Sequence, residues 1–309
     1  MSSDSTSAPS PARVVAVTAT YRRAAELRRL LDSLAASTLP LHAIVIVDNA
    51  GEEEIRALAA ASATPAEYLR PGANLGCGGG LRAGEARALE KYGDALTHLW
   101  ILDDDVEIRP ATLGRLVETM AAEQADVVHP LVVNAEGWVS WIPGFLDRGL
   151  LLSAQRERFT PEAFRARAGC GTLPFSWAQG IALLVGRSAL DRHGLHRGDF
   201  WVRGEDLEFS LRLTYRGKGL CVLSSVAAHL PPEPANPGST EGEYEKHRAM
   251  LQNIAYVSLR LPHGRRIAST IPGNWLRFLR TWRWGLAVWR DAMLVFWRGA
   301  VLGKPAGVQ

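Results

Sequence analysis

Short apolar runs alternate, along the first third of the chain, with segments in which apolar residues recur every three or four positions. The apolar runs are 14–18, 44–47, 66–69 and 100–102. The periodic segments are 24–34, 52–61 and 83–92. Short apolar runs predict buried strands, and the three-to-four spacing predicts helices. Since strands that alternate with helices form βαβ units, we expect an α/β fold with a mostly parallel central sheet.

The pattern is less regular after residue 105. We predict helices over 110–123 and 187–193 and from near Glu205, with strands at 127–128, 131–133, 181–185 and 219–222. Residues 137–176 read as one long irregular segment that contains Trp138 and Trp141. Irregular segments of this length inside a compact domain are usually functional or mobile. These aromatic residues either line an acceptor site or pack in the core.

A Trp-rich apolar stripe runs through residues 275–300, and arginines occupy much of the opposite face. This pattern is typical of a helix that lies in a membrane interface. The alternatives are a helix that packs on the rest of the chain, or a contact with a second copy. We therefore divide the chain into a disordered leader (1–12), a catalytic domain (13–235) and a helical C-terminal region (236–309).

The composition favours a globular protein and argues against several other classes. The 309 residues are 47% hydrophobic and 22% charged, which is typical of a globular protein, and the net charge of +3 does not indicate a nucleic-acid binder. The cysteines, Cys77, Cys170 and Cys221, are far apart, which favours a reducing compartment over a zinc site or disulfides. The first twelve residues are rich in Ser, Pro and Ala and do not resemble a secretory signal, and no run of 18 apolar residues occurs.

Three consecutive carboxylates, Asp103, Asp104 and Asp105, follow the apolar run that ends at Leu102. Unpaired carboxylates are too costly to bury, so we expect them at the carboxyl edge of the sheet, where open α/β sheets bind ligands. A divalent cation that carries phosphates is the ligand that such a group favours. The alternative is a solvated acidic turn before the helix that begins at Pro110.

A second acidic pair, Glu205 and Asp206, follows the aromatic pair Phe200 and Trp201. The acids either form a site or only complement the dipole of the helix that begins there. His229 follows a strand, and a lone histidine is more often structural than a metal ligand.

Residues 74–84 contain five glycines within nine positions. They predict a backbone that approaches a ligand closely, and a helix N-terminus with Arg82 inside it would suit an anion. The stretch matches neither the dinucleotide fingerprint nor the P-loop. The alternative is a tight turn followed by close helix packing.

In their order and spacing, these motifs resemble those of glycosyltransferase family 2, the inverting nucleotide-sugar transferases with the GT-A fold. The resemblance covers about residues 13–232. Asn74-Leu75-Gly76 with its glycines, Leu102 to Asp105, and Phe200 to Asp206 look most like the galactofuranosyltransferases of cell-wall galactan assembly. The chain length and the Trp/Arg-rich tail resemble those that initiate the galactan chain. The rhamnosyltransferases of surface polysaccharides, which use dTDP-rhamnose, are the next most similar group.

The resemblance implies a role for each motif. It places a divalent metal on Asp103, Asp105 and His229, with Mn²⁺ favoured over Mg²⁺ because a histidine is present. It makes Asp206 the base that deprotonates the acceptor, with Glu205 beside it, and it implies inversion at the anomeric carbon. Residues expected to contact the UDP-sugar donor are Thr18, Tyr21, Arg22, Asp48, Asn74, Gly76, Arg82, Asp103 and Asp104. Residues expected at the acceptor are Trp177, Gln179 and Trp201.

The resemblance also implies a lipid-linked glycan acceptor on a polyprenyl diphosphate, and hence a peripheral location on the cytoplasmic face of the plasma membrane. We consider three other classes of protein. A haloacid-dehalogenase phosphatase is disfavoured because it needs Thr or Val where this chain has Glu107. A nucleotidyltransferase is disfavoured because the early basic glycine-rich loop that it needs does not occur in this sequence. A membrane-associated scaffold that binds a sugar nucleotide without turnover is distinguished only by assay.

Overall fold

A computed structural model of the chain describes residues 12–144, 157–231, 241–282, 285–303 and 305. These residues form a ten-stranded sheet with helices on both faces. The strands are β1 Val14–Thr20, β2 Ala43–Asp48, β3 Ala66–Leu69, β4 His98–Leu102, β5 Val106–Ile108, β6 Val127–Val133, β7 Val139–Ser140, β8 Thr172–Pro174, β9 Ala182–Gly186 and β10 Gly219–His229. The helices are α1 Ala24–Ala35, α2 Glu53–Ala61, α3 Gly76–Tyr92, α4 Thr112–Glu123, α5 Pro161–Ala168, α6 Arg187–His193, α7 Glu205–Tyr215, α8 Glu241–Arg260, α9 Ile271–Thr281 and α10 Leu286–Ala300. Two 3₁₀ segments span Gly93–Ala95 and His263–Thr270.

The sheet is mixed, with the strand order β3-β2-β1-β4-β9-β6-β10-β5. Its first four strands are parallel, as the alternation of strands and helices predicts. Beyond β4 the sheet is mixed: β6 and β10 are parallel, but β9 runs antiparallel to both β4 and β6, and β5 runs antiparallel to β10. A helical crossover favours parallel pairing, as between β1 and β2, and β6 and β10 are parallel as well, whereas antiparallel pairing needs no crossover.

Two hydrophobic cores cover the two faces of the sheet. Along β1 the side chains alternate, so that Val15 and Val17 join one core while Val14 and Ala16 join the other. Both faces of β1 and β4 are buried, which explains why these strands read as continuous apolar runs rather than as alternating ones. The arrangement leaves the carboxyl ends of β1, β2 and β4 side by side at one edge.

The glycine-rich stretch is helical, because α3 begins at Gly76 and not at residue 83 as predicted. A β-carbon on Gly84 would lie 2.5 Å from Val17 Cγ1, and one on Gly78 would lie 2.5 Å from the Phe200 carbonyl oxygen. Glycine is therefore required at these positions because α3 packs closely on β1 and on the segment before α7. Of the two interpretations, the structure favours close helix packing.

The region 137–176 is not irregular throughout. It contains β7, α5 and β8, while residues 145–156 lie outside the described part. Helix α5 begins at a standard signal, in which Thr160 Oγ1 accepts a hydrogen bond from the Ala163 N–H at 3.2 Å and proline follows the cap. Thr160 followed by Pro161 is a helix-start signal that is readable in the sequence. The helix is not predicted because residues 137–176 read as one long irregular segment.

The C-terminal helices α9 and α10 pack against α8. Their shared core is formed by Leu251, Phe278, Leu279, Ala292 and Val295. None of the described helices is both long enough and apolar enough to cross a membrane. The predicted leader, apart from Ala12, and the predicted boundary near residue 235 lie outside the described residues, as does Arg283 of the tail.

Candidate active site

The three consecutive carboxylates lie at the carboxyl edge of the sheet, where the sequence places them. Strand β4 ends at Leu102, and the Asp103 N–H donates to the Ile181 carbonyl at 3.1 Å, which fixes the chain as it leaves the sheet. Asp104 and Asp105 are buried, whereas the side chain of Asp103 is 37% exposed. The triplet is therefore a largely buried group with one open carboxylate, and not a solvated turn.

His229 joins this triplet across 124 positions of sequence, counting from Asp105 to His229. The antiparallel pairing of β5 with β10 places His229 opposite Val106, directly beside the acids. Its Nε2 atom lies 3.0 Å from Asp105 Oδ1 and 3.9 Å from Asp103 Oδ2. One donor atom from each of Asp103, Asp105 and His229 lies within 4.8 Å of the other two. Two carboxylates and an imidazole at this spacing fit a divalent transition metal such as Mn²⁺.

The electrostatics of the cluster also suit a cation. Burial and the neighbouring Asp105 carboxylate raise the pKa of Asp103 to about 7. The pKa of Asp105 is lowered despite its burial, because His229 and Arg23 stabilise the charged form, and the same contact with Asp105 raises the pKa of His229. Carboxylates crowded in this way favour a positive partner. The residues present therefore fit a divalent metal.

Arg23 is a member of the site that the sequence analysis missed. Its Nη1 atom lies 2.9 Å from Asp104 Oδ1 and 2.9 Å from Asp105 Oδ2. Tyr21 and Arg22 are the residues predicted here, but Tyr21 is exposed and the Arg22 guanidinium lies over its ring, 5.2 Å from the centroid. Arg22 has a positive φ of 58°, and sequence alone gives no sign of this turn, which determines which arginine reaches the acids.

Asp206 and Glu205 occupy the first turn of α7 but have different surroundings. Asp206 is partly exposed, and its carboxylate accepts hydrogen bonds from the Leu207 N–H at 2.7 Å and the Gly180 N–H at 3.4 Å. Burial raises the pKa of Asp206. The Gly180 N–H contacts Asp206, and the carbonyl of the next residue, Ile181, accepts the Asp103 N–H, so the two acidic groups lie beside the same short segment. Glu205 is buried near the Cys77 thiol, and burial together with Asp206 raises its pKa to about 7. Of the two, only Asp206 is open to an acceptor.

The residues predicted at the uridine end lie at the same edge, where β1 and β2 end. Thr18 is fully buried on β1. Asp48, at the end of β2, accepts hydrogen bonds from the N–H groups of Ala50, Gly51 and Glu52 at 2.9, 2.9 and 2.6 Å. In this structure Asp48 therefore organises the turn before α2, so any contact with a nucleotide would be additional to that role.

The residues predicted near the donor phosphates lie at the start of α3. Asn74 Oδ1 accepts the Gly76 N–H at 2.9 Å, and the side chain of Asn49, which the sequence analysis did not single out, accepts the Leu75 N–H at 3.0 Å. The Arg82 guanidinium donates to the His196 carbonyl at 3.2 Å and is thus held on the segment before α7. The structure does not bring Arg82 to the acidic cluster.

The residues predicted at the acceptor make mainly packing and backbone contacts. The Trp177 ring packs beside the core formed by Phe200, Leu211, Tyr256, Val257 and Ile267. The Gln179 amide donates to the Ile142 carbonyl at 3.4 Å, and the Trp201 carbonyl accepts the Cys77 N–H at 2.8 Å. The aromatic side chain that stands beside the site is Trp141, which is 49% exposed and meets the His229 ring edge-on at 4.9 Å.

A buried ion pair anchors α7 behind the site. Glu208 accepts hydrogen bonds from Arg212 Nε at 2.9 Å, and His263 Nε2 lies 3.0 Å from its Oε1. Burial alone would raise the pKa of Glu208, but these partners outweigh it and lower the pKa to about 2. The carboxylate therefore stabilises the fold above its unfolded pKa of 4.5, and this contribution is lost as the pH falls from 4.5 towards 2.

We predict that Glu208→Gln lowers the free energy of unfolding at pH 7 by about 3 kcal/mol, because it breaks a buried ion pair and leaves the Arg212 guanidinium without its carboxylate partner. The deficit relative to wild type should shrink as the pH falls below 4.5, because the unfolded wild-type chain then protonates Glu208 while the folded chain, with a pKa of about 2, does not. Urea denaturation at pH 7 and pH 3 measures both effects. Glu53→Gln, which removes an exposed pair with Arg56, is the matched control and should leave stability unchanged. An equal deficit at both pH values would contradict the assignment.

Comparison with known proteins identifies the family of the chain. The profile of the family described as "Glycosyl transferase family 2" matches residues 15–173. Galactofuranosyltransferase GlfT1 of Mycobacterium tuberculosis (strain ATCC 25618 / H37Rv) is 30% identical over 280 residues, which cover 86% of this chain and 87% of that protein. Galactofuranosyltransferase GlfT1 of Mycolicibacterium smegmatis is 28% identical over 285 residues, with coverage of 86% and 88%.

Solved structures share the fold at low sequence identity. S. aureus TarS 1-349 in complex with UDP-GlcNAc superimposes with a TM-score of 0.59 at 16% identity, covering 93% of this chain and 81% of that one. GalNAc-T7 with UDP, GalNAc and Mn²⁺ gives a TM-score of 0.57 at 16% identity, with coverage of 86% and 54%. The chain spans about half of the longer TarS structure, 49% of its length. These likenesses confirm the GT-A fold, and with the family match they show that the chain is a glycosyltransferase that belongs to glycosyl transferase family 2.

Proposed function

We propose that the chain transfers a sugar, with galactofuranose favoured, from a UDP-sugar to a polyprenyl-diphosphate-linked or polysaccharide acceptor, in a metal-dependent reaction that inverts the anomeric carbon. The observation that carries the proposal is the placement of two acidic groups beside the same segment, residues 180–181. Asp103, Asp105 and His229 form the group that fits a metal, and Asp206 is the separate, partly exposed carboxylate. Transfer from a nucleotide diphosphate needs both functions.

Each group has a distinct task in this mechanism. Asp103, Asp105 and His229 would hold the divalent ion, which when bound supplies Lewis acidity to the donor diphosphate. Arg23 balances the charge of Asp104 and Asp105. Asp206 accepts the proton of the acceptor hydroxyl, and its raised pKa makes it a stronger base than an ordinary carboxylate. A single displacement with one base inverts the anomeric centre.

Relatives and neighbours support the choice of donor. The two GlfT1 relatives are named galactofuranosyltransferases, and the neighbouring structures hold UDP-GlcNAc, or UDP with Mn²⁺. A UDP-sugar with Mn²⁺, or Mg²⁺ in its place, is therefore the donor system that we propose. A rhamnosyltransferase that uses dTDP-rhamnose is the alternative enzyme, and a sugar-nucleotide-binding scaffold is the alternative without turnover.

A donor screen tests the proposal. The purified chain is incubated with Mn²⁺, a synthetic lipid-linked disaccharide and one of UDP-galactofuranose, UDP-galactopyranose or dTDP-rhamnose, and the products are identified by mass spectrometry. We expect the acceptor to gain one hexose from UDP-galactofuranose only. Transfer from dTDP-rhamnose alone would favour the alternative enzyme, and UDP binding without any product would favour the scaffold.

We also propose that the C-terminal helices bind a membrane surface on the cytoplasmic side, where a lipid-linked acceptor would be available. Helices α9 and α10 leave a set of large apolar side chains exposed, with Leu286 at 92% the most exposed of them. The exposed members are Leu276, Leu286, Trp289, Met293, Leu294, Trp297, Val301 and Leu302. Asp291, the single acidic residue between 271 and 300, is turned inward to accept a hydrogen bond from the Tyr244 hydroxyl at 2.9 Å.

The outward face of these helices is therefore both apolar and positively charged. The apolar side chains would insert into the membrane interface, and the positive charges would attract anionic lipid headgroups. Arg277, Arg280, Arg290 and Arg298 are all exposed beside the apolar residues. Tryptophan and arginine together are typical of helices that lie in the membrane interface.

We predict that Trp289→Ser combined with Trp297→Ser weakens binding to vesicles of phosphatidylglycerol and phosphatidylcholine roughly 1,000-fold. Each tryptophan buried in the interface contributes on the order of 2 kcal/mol. Tyr215→Ser, at an exposed aromatic residue with Arg216 and Arg266 beside it, is the control and should leave binding unchanged. Co-sedimentation measures the affinity. Undiminished binding of the double variant would contradict the proposal, and a wild-type dimer that this variant dissociates would favour contact with a second copy instead.

A further inference from the structure

The turn at residues 202–204, which immediately precedes Glu205 and Asp206, has an unusual backbone conformation. Arg203 and Gly204 have positive φ angles of 58° and 105°, one after the other, immediately before α7 begins at Glu205. A left-handed backbone is costly for a side chain such as that of arginine, and such conformations persist where the surroundings enforce them. The groups that enforce this turn therefore determine where Asp206 stands.

One side chain of α8 contacts this turn from behind. The Asn253 Nδ2 atom donates to the Arg203 carbonyl at 2.7 Å and to the Val202 carbonyl at 3.3 Å. A β-carbon on Gly204 would lie 2.9 Å from Asn253 Cβ, so the two backbones approach as closely as glycine allows. Asn253 is fully buried. Its neutral amide nitrogen carries two hydrogens, one for each carbonyl, whereas serine has one and aspartate has none.

Two further contacts hold the same segment. The Arg203 guanidinium pairs with Glu243, also on α8, at 2.8 Å. On the other side, the Trp201 carbonyl accepts the Cys77 N–H of α3 at 2.8 Å. The turn is thus held between α3, which belongs to the sheet domain, and α8, which belongs to the C-terminal helices.

We propose that Asn253 is a positioning residue for the transfer reaction: it holds the 202–204 turn so that the Asp206 carboxylate faces the acceptor hydroxyl. This inference rests on the proposed function, in which Asp206 is the base. It assigns the C-terminal helices a part in catalysis that is separate from membrane contact. Asn253 lies well outside the 15–173 region that the family profile matches.

The test compares Asn253→Ala with wild type at 15 °C, where moderately destabilised variants stay folded. Since displacing a reacting group by about 1 Å can cost 100-fold, we expect kcat to fall by roughly 10- to 100-fold. The KM for the UDP-sugar and the affinity for UDP with Mn²⁺ should stay within twofold of wild type. Asn274→Ala is the matched control, because that amide also donates to a carbonyl, that of Thr270 at 3.0 Å, but far along the sequence from the turn. It should leave kcat unchanged.

A double variant separates positioning from a merely structural role. If Asn253 acts through Asp206, adding Asn253→Ala to Asp206→Asn will not reduce the residual transfer rate any further. Losses that multiply, or a kcat of wild-type size for Asn253→Ala, would overturn the inference. If the alanine variant does not fold, Asn253→Ser, which keeps one donor, undergoes the same measurements. A wild-type chain that transfers no sugar would overturn the proposed function and this inference with it, whereas wild-type transfer with an unimpaired Asn253→Ala overturns the inference alone.

Discussion

Asp206→Asn is expected to reduce sugar transfer by roughly 1,000-fold or more while the chain still binds UDP with Mn²⁺. A positioned base contributes about 100- to 10,000-fold, and asparagine has the same shape but cannot accept the proton. The Asp206 carboxylate accepts hydrogen bonds from Leu207 and Gly180 through its two oxygens, and asparagine can keep at least one of them. The variant should therefore fold, and the measurement is the steady-state transfer rate beside calorimetric UDP titration.

The control for this substitution is Asp191→Asn. Asp191 is an exposed carboxylate on α6 that pairs with Arg187 at 2.8 Å. Its substitution therefore makes the same chemical change away from the candidate active site. It should transfer sugar at the wild-type rate. An Asp206→Asn variant that turns over as fast as wild type would refute the assignment of the base, and Glu205, although buried, would be tested next.

Asp105→Asn is expected to weaken Mn²⁺-dependent UDP binding by at least roughly 100-fold. Substitution of a group that only supports a metal ligand already costs 10- to 100-fold, and here a ligand itself is removed. Asp105 is buried between Arg23 and His229, so it both contributes to the metal site and orients the imidazole. Calorimetric titration of UDP with and without Mn²⁺ measures the change, which should be confined to the titration with metal.

Glu107→Gln is the matched control for the metal site. Glu107 is the next acidic residue along the chain, and it is exposed on β5. UDP binding to this variant should equal that of wild type. Wild-type UDP affinity of Asp105→Asn in the presence of Mn²⁺ would contradict the metal assignment.

The sequence was most informative where chemistry and local pattern coincide. The apolar run that ends in Asp103, Asp104 and Asp105 predicted a group at the carboxyl edge of the sheet, because strand burial and the cost of burying carboxylates lead to the same position. The start of α7 at Glu205 was likewise readable from the acids in its first turn. His229 was identified as a ligand through the resemblance only, since its approach to Asp105 depends on the β5–β10 pairing.

Features that depend on backbone conformation or on distant pairing were not predictable. Arg22 and Arg23 are chemically equal, and the positive φ at Arg22 separates them. The antiparallel direction of β9 is not readable from the sequence, because the apolar pattern of a buried strand is the same in either direction. Asn253 lies on α8 and is buried. Nothing in a single sequence distinguishes an asparagine that contacts a distant turn from any other asparagine on a helix.

The central claim is that the two neighbouring acidic groups, the Asp103–Asp105–His229 cluster and Asp206, perform separate tasks, and one paired measurement tests it most directly. UDP–Mn²⁺ affinity and the sugar transfer rate are measured side by side for wild type, Asp206→Asn and Asp105→Asn. The predicted result is that Asp206→Asn binds UDP–Mn²⁺ like wild type but transfers sugar at least roughly 1,000-fold more slowly, while Asp105→Asn loses both UDP–Mn²⁺ binding and transfer. Equal loss of UDP–Mn²⁺ binding in the two variants, or transfer retained by either, would contradict the claim.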